Sequence, residues 1–290
     1  MVPNSLTVSA PPHPRAGPSS SWALASGAVP APSLTLITGA AGTIGGVLRA
    51  GLARPLRLTD AREPADLRAD EAFVAADLAD RAAIDRAVAG VDAVVHLGAI
   101  ATEAAFDDLA GPNLHGAFNV FDACRRHGVR RVVFASSNHA TGMYPAGAPL
   151  DETVAPRPDT LYGVTKAYGE ALGRLYADKF GLEVVCLRIG TFAPRPPDRR
   201  ALSTWLSHGD GVRLVEAALS AADVGGFAIV YGVSANARSW WPRSDAARRI
   251  GYEPRDDAEA FAAELADAGE RYERQGGEMT ARDYGGWTRA

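Results

Sequence analysis

From Ser33 onward, short apolar runs alternate with longer segments of helical character. The apolar runs are continuous rather than alternating with polar residues, which is typical of parallel strands covered on both faces. Repeated alternation of strand and helix therefore predicts an α/β fold with a doubly wound parallel sheet. The predicted strands are 34–38, 56–60, 73–77, 93–97, 131–137, 183–190 and 227–232. The predicted helices lie within 43–53, 81–90, 113–128, 161–181 and 203–219.

The first 32 residues differ from the rest of the chain in composition. They hold seven of the 19 prolines, many serines and alanines, and a single charged residue, Arg15. Such a segment cannot bury enough apolar surface to offset its ordering entropy, so we predict a disordered extension over residues 1–32. Residues 33–290 are predicted to form one Rossmann domain. Within it, a small C-terminal substrate-binding lobe is expected from about 139–160, 191–225 and 233–290.

Composition and charge narrow the classes of partner. The net charge of −4 and the lack of a basic block argue against nucleic acid. No uninterrupted apolar run is long enough to span a membrane. Cys124 and Cys186 lie in apolar contexts without a CxxC motif, so we expect reduced thiols in a cytoplasmic protein. No set of His, Cys and acidic residues has metal-ligand spacing, and no metal is predicted.

A glycine-rich stretch, TGAAGTIGG, follows the first predicted strand and places glycines at Gly39, Gly42 and Gly45. The first glycine permits a tight turn, the second lets backbone approach a pyrophosphate, and the third lets the next helix pack on the strand. That helix opens at Thr43 and Ile44, so its first N–H groups face the bound anion. Because the glycines lie between a strand and a helix, the loop predicts nucleotide binding.

An acidic residue ends the second predicted strand. Asp60 lies 21 residues after Gly39, where a carboxylate can accept hydrogen bonds from both ribose hydroxyls of an adenosine. The same charge repels a 2′-phosphate, which favours NAD over NADP. Two alternatives are open: Arg62 offers a guanidinium for that phosphate, and Asp60 could instead cap a loop. Asp77 and Leu78, after the third strand, are placed to meet the adenine ring.

The longest predicted helix begins with Tyr162-Gly-Val-Thr-Lys166. A four-residue spacing places both side chains on one face of the helix. An ammonium near a phenol stabilises the phenolate and lowers the pKa of the tyrosine toward the working pH. Such a tyrosine can remove a hydroxyl proton while hydride leaves the same carbon for a nicotinamide. The alternative is a surface aromatic beside a solvated lysine.

With its glycine loop, acidic residue, serine-rich strand end and YxxxK in that order, the chain resembles an extended short-chain dehydrogenase/reductase over residues 34–290. The resemblance implies that Ser137 hydrogen-bonds the reacting oxygen, with Ser136 beside it as a backbone or cofactor contact. Asn113 is similar to the helix asparagine of that family, although it could equally cap the start of its helix. The cofactor contacts implied beyond the glycine loop and the two acids are Leu97, Ser136, Tyr162, Lys166 and Ile189.

Several longer stretches are similar to the uronate dehydrogenase family within this group. They are FASSNHATGMYP, RPDTLYGVTKAYGE, LRIGTFAPRPPDRRALSTWLSHGD, YGVSANARSWWP and RYERQGGEM. Members of that family oxidise the anomeric carbon of glucuronate or galacturonate with NAD and yield an aldarolactone. The resemblance therefore implies that the substrate is a small acidic sugar and that the cofactor is NAD.

A hexuronate carries its carboxylate far from its anomeric carbon, so the enzyme needs an anion-binding group opposite the base. Arg200 suits that role because a guanidinium makes planar bidentate pairs with a carboxylate. The alternatives are that Arg200 lies in a solvated loop and that His139 only satisfies backbone at a turn. Ala101 stands where the family has a serine, and Thr102 is the possible substitute. The family's carboxylate contacts correspond here to Ser137, Asn138, His139, Thr191 and Arg200.

Two other functions share part of this pattern. A sugar-nucleotide epimerase or dehydratase has the same glycine loop and YxxxK motif, but the short part of the chain after the sixth predicted strand favours a smaller substrate. A non-catalytic NAD-binding protein often lacks the tyrosine or the lysine, and this chain has both. We also expect an exposed apolar helix face to support self-association into a homo-oligomer.

Overall fold

A computed structural model of the chain describes residues 33–53, 55–266 and 271–286. The predicted extension, residues 1–32, lies outside the described residues. The strands are β1 (Thr35–Thr38), β2 (Leu56–Asp60), β3 (Glu71–Ala75), β4 (Ala93–His96), β5 (Arg131–Ser137), β6 (Glu183–Ile189), β7 (Thr191–Phe192), β8 (Trp205–Leu206) and β9 (Phe227–Gly232). Seven of them form a parallel sheet in the order β3–β2–β1–β4–β5–β6–β9, while β7 and β8 pair separately.

Helices cover both faces of the main sheet. They are α1 (Thr43–Gly51), α2 (Arg81–Val88), α3 (Phe106–Leu109), α4 (Gly116–His127), α5 (Leu161–Phe180), α6 (Ala201–Thr204), α7 (His208–Ser220) and α8 (Asp245–Arg249). Apolar residues of α1, α7 and α8 pack on one face, and those of α2, α4 and α5 pack on the other. The doubly wound α/β fold is thus confirmed. Within the described residues, every helix is too short or too polar to cross a membrane.

The order of strands reverses between β1 and β4, which lie side by side in the sheet. Chain connections from β1 run outward through β2 and β3, whereas those from β4 run the opposite way through β5 and β6. In an open parallel sheet, the crevice at the carboxyl ends of the strands beside such a reversal is the usual place for a ligand. The glycine loop after β1 therefore lies where a dinucleotide is expected.

The third strand is Glu71–Ala75 and not 73–77 as predicted. A glutamate can be buried at the start of this edge strand because Arg49 on α1 neutralises it. The Nε and Nη2 atoms of Arg49 donate to the Glu71 carboxylate at 3.0 and 2.7 Å. Buried charges are stable only when they are paired and hydrogen-bonded in this way.

The segment 203–219, predicted as one helix, instead contains the end of α6, the strand β8 and most of α7. Trp205 is held in extended backbone, with its Nε1 donating to the carbonyl of Ala193 at 2.8 Å. Ser207 then begins α7, because its hydroxyl accepts the N–H of Asp210 at 2.9 Å. Since α7 packs on the main sheet, this part of the predicted lobe segment 191–225 belongs to the sheet layers.

The other predicted lobe segments meet near the carboxyl end of β5. An antiparallel bridge joins Pro145 to Arg274, and the indole Nε1 of Trp241 donates to the side-chain oxygen of Gln275 at 2.8 Å. The ring of Trp241 stacks on Tyr231 with centroids 4.8 Å apart. Segments from three parts of the chain are therefore packed together beside the strand ends.

Candidate active site

The glycine loop leaves room for a ligand against the backbone. Gly39 has a φ of 69°, and a Cβ there would lie 2.7 Å from the backbone nitrogen of Gly98. A Cβ at Gly45 would lie 2.5 Å from the carbonyl oxygen of Gly39, so α1 packs closely on the loop. Gly42 precedes α1 without a side-chain cap, and the first turn holds no acidic residue. The first N–H groups of α1 are thus available to an anion, which fits a pyrophosphate.

The loop opens into a cleft of about 730 Å³ at the carboxyl ends of the strands. Asp60 lies in its wall, with Oδ2 accepting the N–H of Ala41 at 3.1 Å and Oδ1 accepting that of Arg62 at 3.3 Å. Arg62 is not among the described residues that line the cleft, so an acid rather than a guanidinium faces the expected ribose position. The predicted cofactor residues that line the cleft are Gly39, Gly42, Thr43, Ile44, Gly45, Asp60, Asp77, Leu78 and Leu97.

The side chain of Ser136 does not face this cleft. Its hydroxyl donates to Oε1 of Glu170 at 2.6 Å, and Glu170 is itself paired with Arg188 at 2.9 Å. The hydroxyl of Ser136 is bonded to this buried ion pair. Only the backbone of Ser136 can therefore make the predicted contact. Ile189 lies beside the cleft and lines a small apolar cavity shared with Ile44.

The three predicted catalytic residues lie together at the carboxyl end of β5. Tyr162 and Lys166 stand one turn apart on α5, with only 7% and 5% of each residue exposed. Ser137, the last residue of β5, lies close enough to Tyr162 for its hydroxyl to lower the pKa of the phenol. The Nζ of Lys166 donates to the carbonyl of Ala135 at 2.8 Å and lies 5.5 Å from the ring centre of Tyr162. The solvated-lysine alternative is therefore wrong.

Burial dominates the protonation of this pair. It raises the pKa of Tyr162 to about 12, against the opposing effect of the Ser137 hydroxyl. It also lowers the pKa of Lys166 to about 8, so the ammonium still predominates at neutral pH. At neutral pH the pair is therefore a neutral phenol beside an ammonium, and a positive charge so close favours the phenolate over the phenol.

A second polar cluster surrounds Arg200. Its Nη1 donates to the hydroxyl of Thr191 at 3.3 Å, and its Nε donates to the backbone carbonyl of Gln275 at 2.7 Å. With the amide of Asn138 oriented so that its oxygen faces the guanidinium, that oxygen accepts from Nη2 at 2.9 Å and the amide nitrogen donates to the carbonyl of Ile189 at 3.0 Å. Burial lowers the pKa of Arg200, with nearby acidic groups acting against it. Arg200 is therefore not a solvated loop residue.

His139 lies between the two clusters. Its Nδ1 is 2.8 Å from Oδ2 of Asp159, a fully buried carboxylate, and its backbone N–H donates to the hydroxyl of Ser137 at 3.2 Å. The imidazole meets the ring of Tyr162 edge-on, with centroids 6.0 Å apart. The structure thus brings all five residues of the predicted carboxylate site into one region, and adds Asp159 behind His139.

Two contacts to the loop after β4 support α5. The carboxylate of Glu103 accepts the N–H groups of Leu161 and Tyr162 at 3.2 and 3.0 Å. Glu103 was not predicted; its partner backbone is 58 residues away, and the sequence around it carries no capping signal. Ala101 lines the cleft and presents a methyl group, whereas Thr102 is exposed and outside the described lining.

Asn113 does not cap a helix. It lies in a π-helical turn, Ala110–His115, where its Oδ1 accepts the N–H of Ile100 at 2.8 Å. Its Nδ2 donates to the carbonyl of Ile100 and to the hydroxyl of Thr165, both at 3.0 Å. Asn113 therefore joins the loop after β4 to α5, and the capping alternative is wrong.

Comparisons with known proteins agree with this geometry. Residues 35–218 match the NAD dependent epimerase/dehydratase family. The uronate dehydrogenase of Pseudomonas putida is 45% identical over 232 residues, which cover 79% of this chain and 86% of the relative. The NAD-dependent glucose-6-phosphate dehydrogenase of Haloferax volcanii is 37% identical over 79% of this chain and 95% of the relative.

Solved structures give the same result. A mutant of uronate dehydrogenase from Agrobacterium tumefaciens, complexed with NAD, is 42% identical, has a TM-score of 0.81 and is matched over 86% of this chain and 97% of that one. The resemblance that the sequence indicated is confirmed. The chain belongs to the NAD dependent epimerase/dehydratase family and, within it, to the uronate dehydrogenases.

Proposed function

We propose that this protein oxidises a free hexuronate, glucuronate or galacturonate, at its anomeric carbon with NAD and releases an aldarolactone. The observation that carries the proposal is the cluster around Arg200, whose hydrogen-bond partners among the described residues are all neutral, although the carboxylates of Asp198 and Asp159 lie near it. A guanidinium that is hydrogen-bonded only to neutral groups can still pair with an anionic ligand, and a carboxylate can bind both of its Nη atoms. Similarity to uronate dehydrogenases supports the same substrate class.

The order of residues after β5 connects the two ends of such a substrate. Ser137 lies beside Tyr162, and the next residue, Asn138, bonds Arg200. A sugar whose carboxylate binds at Arg200 therefore reaches toward Tyr162 with its far end. Fixing the carboxylate orients the anomeric carbon, so binding energy is used for positioning.

Proton transfer at the anomeric hydroxyl falls to Tyr162, while Ser137 hydrogen-bonds the reacting oxygen. The phenol must be a phenolate to accept that proton, and the buried ammonium of Lys166, 5.5 Å from the ring centre, stabilises this form. Asp60 and the first N–H groups of α1 would hold the dinucleotide. When bound, NAD accepts the hydride of the anomeric carbon, which becomes the lactone carbonyl.

Formation of NADH by the purified protein tests the proposal. The substrates are glucuronate, galacturonate, their neutral parent sugars, glucose 6-phosphate and UDP-glucose. We expect kcat/KM for a uronate to exceed that for the neutral sugar by about 10- to 100-fold, which is the usual contribution of hydrogen bonds to a charged group. Silence with both uronates, or a preference for the phosphate, would contradict it. Turnover of UDP-glucose without NADH would favour an epimerase, and NAD binding without any turnover would favour a sensor.

We further propose that this protein self-associates through an apolar face of α4 and α5. Phe118 on α4 and Val164, Tyr168 and Leu175 on α5 are large apolar side chains, each at least 37% exposed. The two helices pack side by side on one face of the sheet. Light scattering tests this directly, and a monomeric mass at micromolar concentration would contradict it.

A further inference from the structure

The last described part of the chain contains a segment, residues 273–277, which we call the C-terminal strap. It runs beside the loop that follows β5: the backbone N–H of Gln275 donates to the carbonyl of Tyr144, and that of Gly276 donates to the carbonyl of Gly142, both at 2.9 Å. The strap is thus packed beside the segment that contains His139, in the same region as Arg200.

Gln275 fixes the strap from within. Its residue is 0% exposed, and its side-chain nitrogen donates to the carbonyls of Pro145 and Ala148 at 3.2 and 2.7 Å. Its side-chain oxygen accepts from the indole of Trp241 at 2.8 Å. With the amide satisfied on both sides, the backbone carbonyl of Gln275 has a defined position, and that carbonyl accepts the Nε of Arg200 at 2.7 Å.

The two glycines of the strap, Gly276 and Gly277, lie directly against Asp159 and Arg200. A Cβ at Gly277, whose φ is 67°, would lie 2.9 Å from Cδ and 3.1 Å from Nε of Arg200. A Cβ at Gly276 would lie 1.8 Å from Oδ2 of Asp159, the carboxylate oxygen that also bonds His139. The absence of side chains at both positions is therefore required for the present placement of Arg200 and of Asp159.

We propose that the C-terminal strap positions Arg200 and the His139–Asp159 pair, and thereby sets the preference for a sugar that carries a carboxylate. This inference rests on the proposed function. An arginine side chain has several rotatable bonds, and holding its Nε on a fixed carbonyl leaves both Nη atoms oriented before the ligand arrives. Such preorganisation lowers the entropy lost on binding. The strap residues are positioning residues that act through Arg200 and Asp159.

The variant Gly277→Ala tests this role, with Gly251→Ala as the matched control. Gly251 has a φ of 76° and open space around its would-be Cβ, so it shares the backbone strain without the contact to Arg200. We expect Gly277→Ala to lower kcat/KM for the uronate by about 10-fold or more, chiefly by raising KM. The Kd for NAD should be unchanged, and Gly251→Ala should keep the wild-type KM.

A double-mutant cycle separates positioning from general stability. If Gly277 acts through Arg200, adding Gly277→Ala to Arg200→Ala should cause little further loss of kcat/KM. Micromolar enzyme and long reaction times keep the residual rates measurable. Additive losses in the cycle, or an equal rise in KM for Gly277→Ala and Gly251→Ala, would overturn the role of the strap. A wild-type protein silent with both uronates would instead overturn the proposed function and this role with it.

Discussion

At Lys166, the catalytic role that we propose conflicts with the stability of the protein. Its ammonium is buried, and burial lowers its pKa from 10.5 to about 8, so at neutral pH the folded protein holds a charge that water would solvate better. We expect Lys166→Met to abolish NADH formation and to raise the free energy of unfolding near neutral pH by about 2 kcal/mol. That figure allows for the lost hydrogen bond to the carbonyl of Ala135, which offsets part of the gain.

The pH dependence supplies the control for this variant. Between about pH 8 and 10.5 the unfolded lysine is protonated and the folded one is not, so wild-type stability recovers as the pH rises through this range. The advantage of Lys166→Met should therefore shrink between these values in urea unfolding. If Lys166→Met is no more stable than the wild type near neutral pH, burial of the ammonium does not destabilise the folded protein.

Single residues were predictable where spacing along the chain fixes geometry. Tyr162 and Lys166 share a helical face because four residues separate them, and Ser137 ends a strand whose apolar run is unmistakable. Asp159 and Gln275 were not predictable as partners of His139 and Arg200, since 20 and 75 residues separate the members of each pair. Only the packing of distant segments brings them together, and no local pattern encodes that packing.

At the scale of elements, the first turn of α5 is capped by Thr160, whose hydroxyl accepts the N–H of Gly163 at 2.9 Å, and by Glu103 from another loop. Glu103 accepts the N–H groups of Leu161 and Tyr162, so it fixes the end of the helix that carries the proposed base. We expect Glu103→Ala to lower the free energy of unfolding by about 1 kcal/mol, as for other lost helix caps, and to lower kcat as well. Thermal unfolding and the NADH assay measure the two effects.

Asp80→Ala is the matched control for this prediction. Asp80 caps α2 through the N–H groups of Ala82 and Ala83, and α2 carries none of the proposed catalytic residues. Its replacement should reduce stability by a similar amount and leave kcat at the wild-type value. If both variants lose kcat in proportion to their stability, Glu103 is only a cap and does not position Tyr162.

The sequence predicted which strands and helices form more accurately than it predicted where each begins and ends. Continuous apolar runs indicate buried parallel strands whatever their partners are, which is why every strand of the main sheet was predicted. The start of β3 at Glu71 depends on a buried pairing with Arg49 that a polar residue alone does not reveal. The start of α7 did have a local signal, since Ser207 and Asp210 stand in the S-x-x-D pattern of a capping box.

For the whole molecule, two regions of different origin meet in one site. The cofactor cleft is built from the ends of β1, β2 and β4 and the residues just after β3. Eight of its nine predicted residues came from local motifs, and Leu97 came from the family resemblance. The polar cluster around Arg200 combines the end of β5, the segment after β6 and the C-terminal strap. The main residues of this cluster were predicted from the family resemblance. Their contacts with the strap could be seen only in the folded structure.

Acid sensitivity of the whole molecule should depend on His96 at the centre of the sheet. Its Nδ1 lies 2.7 Å from the hydroxyl of Thr38, and the residue is 2% exposed. Burial, aided by the charge of Lys166, lowers its pKa from 6.5 to about 3. Below pH 6.5 the unfolded chain takes up a proton that the folded chain refuses, so stability falls as the pH falls toward 3.

We therefore expect His96→Asn, which keeps a hydrogen-bonding group without a titratable charge, to be less stable than the wild type near neutral pH because of poorer packing. As the pH falls below 6.5, the deficit should shrink by up to about 1.4 kcal/mol per pH unit, since only the wild type loses this contribution. Urea unfolding of both proteins at several pH values measures the difference. A deficit that stays constant with pH would mean that His96 is protonated equally in both states, and its buried, neutral imidazole would then not be a source of acid sensitivity.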